Sequence, residues 1–394
     1  MPTIAEKIFA KKIKGKRRAE PGEIIEAEVD YIMANDVTGL PAFEVFYKLV
    51  AELGEKKIDL ERLREKAVLI PDHYVPNKDV ASAEQAKAMR EFAKRFGVKN
   101  YFEVGSGGVC HQVMIEEGFA APGRLIVGAD SHSCTYGALG AFGTGIGSTE
   151  AACAMLTGEL WFKVPGSYKF TVSGKLGKNV MGKDVILHII GDLGVNGANY
   201  KSIEFYGSAI SSLPLSDRIT IANMGIEAGA KAAIIPPDKK VFDYLRGRAR
   251  DSYEPVYADK DASYEKEFEY DASEIPVTVA KPFSPANTSP ASELGSIEID
   301  QAYLGSCTNG RIEDLRAAIK SMGGKKVHKN VRMIVVPATK RVYMQALKEG
   351  LIERFMKAGA YVSGPTCGAC LGGYMGVLAS DEVCISSTNR NFMG

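Results

Sequence analysis

The 394 residues hold no run of about 18 consecutive apolar residues, so no segment has the length of a membrane-spanning helix. The opening "MPTIAEKIFAKK" lacks the apolar core of a secretory signal, and the cytoplasm is the expected compartment. Net charge is almost absent. Forty-nine Lys and Arg face 48 Asp and Glu, leaving +1. No global electrostatic pull toward nucleic acid or a membrane surface follows. The basic run "KKIKGKRR", residues 11–18, reads as a solvated, loosely packed segment. A phosphate-binding GKS or GKT loop is missing. The run "GAFGTGIG" places Gly143, Gly145 and Gly147 alternately, without the dinucleotide fingerprint spacing, and no acidic residue closes a second strand about 20 residues on. Histidine is scarce, at five. Cysteines number seven, an odd count in a compartment that keeps thiols reduced, so no disulfide framework is expected.

What is present is an alternation of strand and helix patterns, which argues for α/β layers. "KDVASAEQAKAMREFAKRFG" sets Ala86, Met89, Ala93 and Phe96 on one helical face. "RLIVGADSHS" reads as a buried strand, Leu125 to Val127, opening into a polar loop. "TEAACAMLTGEL" reads as a helix with Ser148 or Thr149 as N-cap. "SYKFTVSGKL" alternates like an exposed-edge strand, and "MGKDVILHIIGDLG" is an amphipathic helix closed by Gly194. Residues 238–290, rich in tyrosine, charge and proline, read as a connecting region. Strand "AYLGS", helix "RIEDLRAAIKSM", strand "VRMIVVP" and helix "RVYMQALKEGLIERFMKAG" then lead to "SGPTCGACLGG".

That last stretch carries Cys367 and Cys370. Alone, Cys-x-x-Cys could be a redox pair, half a zinc site or chance, and its glycine-rich surroundings suit a loop approached by something bulky. A third thiol, Cys307, lies in "YLGSCTNGRIEDL" between a strand and a helix expected to start at Thr308 or Asn309. Its N-terminal N–H groups would lower the thiol pKa. Three thiolates near backbone donors suit an iron–sulfur cluster; with three rather than four, one iron stays open as a Lewis acid. Zinc needs a fourth ligand, and no Cys or His sits at finger-like spacing. Cys110, Cys134, Cys153 and Cys384 read first as small buried fillers, with Cys110 and Cys134 left open beside polar segments. Three histidines lie in polar loops: Asp72–His73 in "PDHYVP", His111 in "GGVCHQ", and Asp130–Ser131–His132 in "GADSH". A carboxylate beside an imidazole fixes its tautomer and favours its charged form, as acid–base work requires. His188 and His328 read as structural.

Together "GSCTNG", "CGAC" and "GADSH", with "DH" upstream, resemble the aconitase superfamily, and "GKDVILHIIG", "NMGIEAGAK" and "STNRNFMG" extend the likeness through nearly the whole chain. The resemblance implies an α/β fold of three layered α/β/α domains around a central cluster site, here expected at residues 1–165, 166–282 and 283–394. It implies a [4Fe–4S] cluster on Cys307, Cys367 and Cys370 with one iron not ligated by protein. It also implies imidazole–carboxylate pairs Asp72 with His73, Asp130 with His111, and His132 with Glu227. Asn223, Asn309 and Asn389 would lie near the cluster, and Ser131, Thr135, Asn35 and Arg390 would meet substrate. The implied chemistry is a hydro-lyase that removes water from a 2-hydroxy acid and re-adds it at the neighbouring carbon, with His73 protonating the leaving group. Within the superfamily the likeness is to the branch with a separate large subunit. Its expected substrate is 2-isopropylmalate, in leucine biosynthesis; the alternative is homocitrate, in lysine biosynthesis. A non-catalytic, iron-sensing RNA-binding relative is the reading from another class. Two features depart from the family pattern. Asn35 stands before "DVTG" where aconitases resemble Gln and isopropylmalate enzymes His, and the motif ending at Gly394 would continue into a second arginine. At 394 residues there is no room for the family's swivelling domain, so a separate small subunit is the expected partner.

Overall fold

The computed structural model describes residues 1–15, 18–54 and 58–392. Three parallel sheets organise them. The first has the strand order Asn100–Tyr101, Ala67–Ile70, Tyr31–Asn35, Leu125–Gly128, Phe142–Gly145. The second runs Ala232–Ile234, Ser202–Tyr206, Ser167–Ser173, Lys266–Asp271. The third runs Tyr361–Val362, Arg332–Val335, Gln301–Leu304, Cys384–Ser386. Strand side chains alternate faces. In the first sheet Tyr31, Met33, Val68, Ile70 and Ile126 therefore enter a core shared with the second sheet. Ile32, Ala34, Ala67, Leu69, Leu125 and Val127 enter a core on the opposite face. A smaller core of Leu315, Ile319, Val335, Leu351 and Phe355 serves the third sheet.

The helix over Val80–Phe96 buries Ala86, Met89, Ala93 and Phe96 as its spacing requires, and Asp79 caps it. Other elements depart from the sequence pattern. The helix Ser148–Thr157 is preceded by Gly147 with no side-chain cap; the Ser148 hydroxyl instead donates to the Thr38 carbonyl. Ser167–Ser173 is an interior strand, paired on both sides, rather than an edge. One of its partners, Lys266–Asp271, comes from the supposed connecting region, which also holds the helix Lys239–Leu245 and the strands Thr278–Ala280 and Thr288–Pro290. Half-exposed strands rich in Lys and Glu carry too little apolar alternation to show in sequence. The single helix expected after Val335 is two, Lys340–Lys348 and Leu351–Lys357, broken at Gly350 with φ 69°. In the basic run, Lys11 pairs with Glu254, Lys12 with Asp30 and Lys14 with Glu159, so these lysines are tied to acids of the same chain; Lys16 and Arg17 lie outside the described residues.

The glycine run earns its composition by packing. A Cβ on Gly143 would stand 2.2 Å from the Ser133 carbonyl oxygen, so the strand lies directly against the tight helix Ser131–Leu139. Between sheets, Gly108 approaches Thr339 so closely that its Cβ would lie 2.4 Å from the Ala338 oxygen. Sheets one and three therefore meet through backbone. Among the described residues no helix is long and apolar enough to cross a membrane.

Candidate active site

Ligands of parallel α/β sheets gather beyond the carboxyl ends of the strands, and two such edges converge here. From the first sheet, the chain leaving Ile70 carries Asp72 and His73, and the chain leaving Gly128 carries Asp130, Ser131 and His132. From the third, Leu304 leads to Cys307, Val362 to Cys367 and Cys370, and Ser386 to Asn389 and Arg390. The loop residues Asp72 to Arg390 just named, with Val109, Cys110, His111 and Leu371, line one pocket.

The first-sheet wall is a closed network. His73 Nδ1 lies 2.6 Å from Asp72 Oδ1, and the other Asp72 oxygen accepts the Cys110 N–H at 2.7 Å. His111 Nε2 meets Asp130 Oδ1 at 2.9 Å, and its Nδ1 faces the Tyr136 hydroxyl at 3.1 Å. His132 Nε2 meets Glu227 Oε1 at 2.9 Å, and Arg390 Nε donates to the same oxygen at 2.9 Å. Arg390 Nη2 donates to Ser131 Oγ at 3.0 Å. Burial pulls the His73 imidazole down, but Asp72, Asp130 and Asp36 outweigh it and hold its pKa at about 10. His132 likewise stands at about 10: burial lowers it, and its coupling to Cys307, then Asp130 and Glu227, raises it. Burial works to raise Asp130, yet His111 and His132 hold it well below the usual carboxylate range.

The third-sheet wall is different. Cys307 and Cys367 are buried, Cys370 is half-buried, and the thiols of both buried cysteines interact with that of Cys370. The Cys307 thiol is pushed well up, by Cys370 and then by burial. Cys367 reaches about 12, where burial and nearby negative groups overcome a lowering contact from Cys370. Three thiols crowded out of water resist ionisation unless a cation shares their charge, which is the donor set of a thiolate-held metal centre. A fourth protein ligand is not free in this pocket. Each nitrogen of His73, His111 and His132 faces a carboxylate or hydroxyl. The Cys110 thiol is driven well up by burial, Asp72 and Asp130. The residues fit an iron–sulfur group better than zinc. Asp36, Asp72 and His73 also gather within 4.8 Å, but the Asp36 carboxylate accepts the N–H groups of Asp72, His73 and Tyr74 and needs no ion.

The asparagines join the two walls. Asn389 Nδ2 donates to Cys307 Sγ at 3.3 Å and to Asn223 Oδ1 at 3.2 Å, and its Oδ1 lies 3.4 Å from Cys370 Sγ. Asn223 Nδ2 donates to Thr135 Oγ1 at 2.8 Å, whose hydroxyl reaches the His132 carbonyl at 2.5 Å. Thr135 is thus a buried link rather than part of the pocket lining. Asn223 ends the helix Leu215–Asn223, and Glu227 follows in the tight turn Met224–Ala228, so the two do not share one α-helical face. Asn309 points away from the pocket to Asp314 and Thr220. The helix after Cys307 starts at Ile312, not at Thr308 or Asn309, because the Ser306 hydroxyl accepts both of those N–H groups in a turn. Helix N-terminal amides therefore do not face Cys307. Asn35 caps the helix Asp36–Leu53 through Oδ1 and turns Nδ2 toward Asp130 at 3.3 Å. Asp36, Tyr136 and Lys183 were missed. Asp36 is fully buried and pins three successive amides of the His73 loop, but in sequence it is one helix-start aspartate among many.

The family profile described as "Aconitase family (aconitate hydratase)" matches residues 6–295 and 287–394. The chain belongs to the aconitase family. Among curated members, the "3-isopropylmalate dehydratase large subunit" of Thermodesulfovibrio yellowstonii is 55% identical over 100% of this chain and 91% of its own. That of Aquifex aeolicus is 53% identical, over 100% and 90%. The "3-isopropylmalate dehydratase large subunit 1" of Pyrococcus abyssi is 53% identical, over 100% and 91%. Among solved structures, Thermococcus kodakaraensis aconitase X (holo-form) superposes with a TM-score of 0.53 at 12% identity, covering 93% of this chain and 84% of that one. That likeness concerns the aconitase-type fold alone.

Proposed function

We propose that this chain is the large subunit of a 3-isopropylmalate dehydratase, converting 2-isopropylmalate to 3-isopropylmalate by dehydration and rehydration. The observation that carries the reading is the single pocket in which three thiols oppose three imidazole–carboxylate pairs. The identities above 50% to relatives of that name support the substrate. Membership of the family implies an iron–sulfur group; we assign a [4Fe–4S] cluster held by Cys307, Cys367 and Cys370. When bound, it supplies a Lewis-acidic iron open to substrate oxygen.

The chain's own residues do the rest. His73 enters as imidazolium and donates its Nε2 proton to the departing hydroxyl, while Asp72 holds Nδ1 and keeps the ring in place. Arg390 and Ser131 bind a substrate carboxylate; the guanidinium fork can pair with both oxygens and is already oriented by Glu227. His111 and His132 hold the Asp130 and Glu227 carboxylates in place along the same wall. The base that takes the carbon-bound proton is assigned to a separate small subunit, and the compartment to the cytoplasm. The three sheets are read as three domains near the expected divisions. The hairpin of Thr278–Ala280 with Thr288–Pro290 straddles residue 282, so the last division falls better after Pro290.

Anaerobic reconstitution with iron, sulfide and a small subunit tests this, with isopropylmalate, homocitrate and citrate assayed side by side. Cluster-dependent turnover of isopropylmalate is expected, at a kcat/KM above the other two. Preference for homocitrate, or full turnover without the small subunit, overturns the assignment.

A further inference from the structure

Lys183 is a cation in an unfavourable place. It stands in the first turn of the helix Gly182–Leu193, where the helix dipole already presents positive charge. Burial there pulls its pKa down to about 8. Two penalties on one ammonium call for a compensating role, and its contacts show one. Nζ donates to the backbone carbonyls of Ser387 at 2.8 Å and Thr388 at 2.7 Å, and lies 3.4 Å from Asn309 Oδ1. Asn309 is in turn fixed by Asp314 at 2.8 Å, which places the counter-charge one residue away.

The two residues after the clamped carbonyls are Asn389, against the Cys307 and Cys370 sulfurs, and Arg390, against Ser131 and Glu227. Among the described residues the strand Cys384–Ser386 pairs over three positions, with Gln301–Leu304. Beyond it the Ser387 N–H still donates to the Tyr303 carbonyl at 3.0 Å, and the Thr388 N–H turns back to Ser386 Oγ at 3.0 Å. Ser387 bonds to Gly305 and Asn309, and Asn391 reaches the carbonyls of Ala280 and Lys281. Lys183 comes from the helix that packs on the second-sheet side and grips a segment that leaves the third sheet.

We propose that Lys183 is a positioning residue of this active site: its ammonium clamps the Ser387 and Thr388 carbonyls and so sets Asn389 toward the thiols and Arg390 toward the substrate. The clamp itself is independent of the reaction; the consequence for substrate rests on the proposed function. A clamp of this kind affects where Arg390 stands more than the proton transfer by His73, so its loss acts on substrate binding first.

The test uses Lys183→Met, Lys183→Gln and Lys183→Arg in the full chain. Backbone hydrogen exchange is read over residues 386–392, with Arg332–Val335 as internal reference. In Lys183→Met, exchange over 386–392 rises about tenfold or more, the scale of charge-assisted hydrogen bonds to two carbonyls, while the reference strand is unchanged. Lys183→Gln falls between, and Lys183→Arg, which keeps the charge, restores most of the protection. With the small subunit and cluster in place, KM for isopropylmalate rises about tenfold in Lys183→Met while kcat changes less. Unchanged exchange at 386–392 in Lys183→Met overturns the clamp, as does loosening that spreads equally to the reference strand. Lys183→Arg behaving like Lys183→Met overturns the role of charge. If exchange follows the series but the unaltered protein does not turn over isopropylmalate, the clamp stands and the proposed substrate fails.

Discussion

The two walls of the pocket solve opposite problems. The imidazole–carboxylate wall is balanced within the protein: each imidazole is hydrogen-bonded to a carboxylate, Asp36 fixes the backbone of the His73 loop, and His73 and His132 hold their protons to about 10. The thiol wall has no such balance: Cys307 and Cys367 are buried, Cys370 is half-buried, and the ionised forms of all three are disfavoured. One half of the site is preorganised by folding, and the other carries thiols whose ionisation a bound cation would favour. The walls are nonetheless tied together, since the Asp72 carbonyl accepts the Cys367 N–H at 2.7 Å and the Thr366 hydroxyl at 2.8 Å.

This contrast can be broken at either wall. The largest effect is expected at the thiols. Cys307→Ser, Cys367→Ser or Cys370→Ser should lose bound iron and lower turnover by about a thousandfold or more, the several kcal/mol a Lewis-acidic metal contributes. Iron content and turnover measured together check this, and a variant that keeps both removes that residue from the ligand set. Next is His73→Asn, which should lower kcat by about a hundredfold or more while leaving iron content unchanged. The pH dependence sharpens the same point. Because His73 keeps its proton up to about 10, dehydration should hold as pH rises from neutral and fall only as pH nears that value. Removing the nearest negative charge with Asp72→Asn should bring the fall to lower pH, toward the ordinary imidazole value of about 6.5. Arg390→Lys keeps a charge but loses the fork; KM should rise about tenfold with a smaller change in kcat. The smallest effect is expected away from both walls. Cys153→Ala, on the helix Ser148–Thr157 and half-buried, should leave iron content unchanged and cost less than about 1 kcal/mol in denaturant unfolding.

How much of this the chain disclosed depended on whether a signal was local. The helix Val80–Phe96 and the strand Leu125–Gly128 follow from spacing, since each buries one face or both. The strand Lys266–Asp271 did not, because its side chains are largely exposed and its place in the second sheet is set by a long-range partner, Ser167–Ser173. The same division holds in the site. His–Asp neighbours such as Asp72–His73 are visible in sequence. The pairing of His132 with Glu227, 95 residues apart, was carried by family resemblance alone. Lys183 and Asp36 gave no signal, because what distinguishes them is which backbone atoms they reach after folding. The expected helix start beside Cys307 failed for a related reason: the Ser306 side chain took the N–H groups that sequence reading gave to the thiol.

The central claim is that three cysteines leave one iron without a protein ligand, and that substrate oxygens meet that iron. Mössbauer spectroscopy of the chain reconstituted with isotopically labelled iron, with and without isopropylmalate, tests it most directly. The account predicts that the signal of a single iron per cluster shifts on adding substrate while the others stay as they were. A spectrum that substrate leaves unchanged, or a cluster whose irons all carry protein ligands, contradicts it.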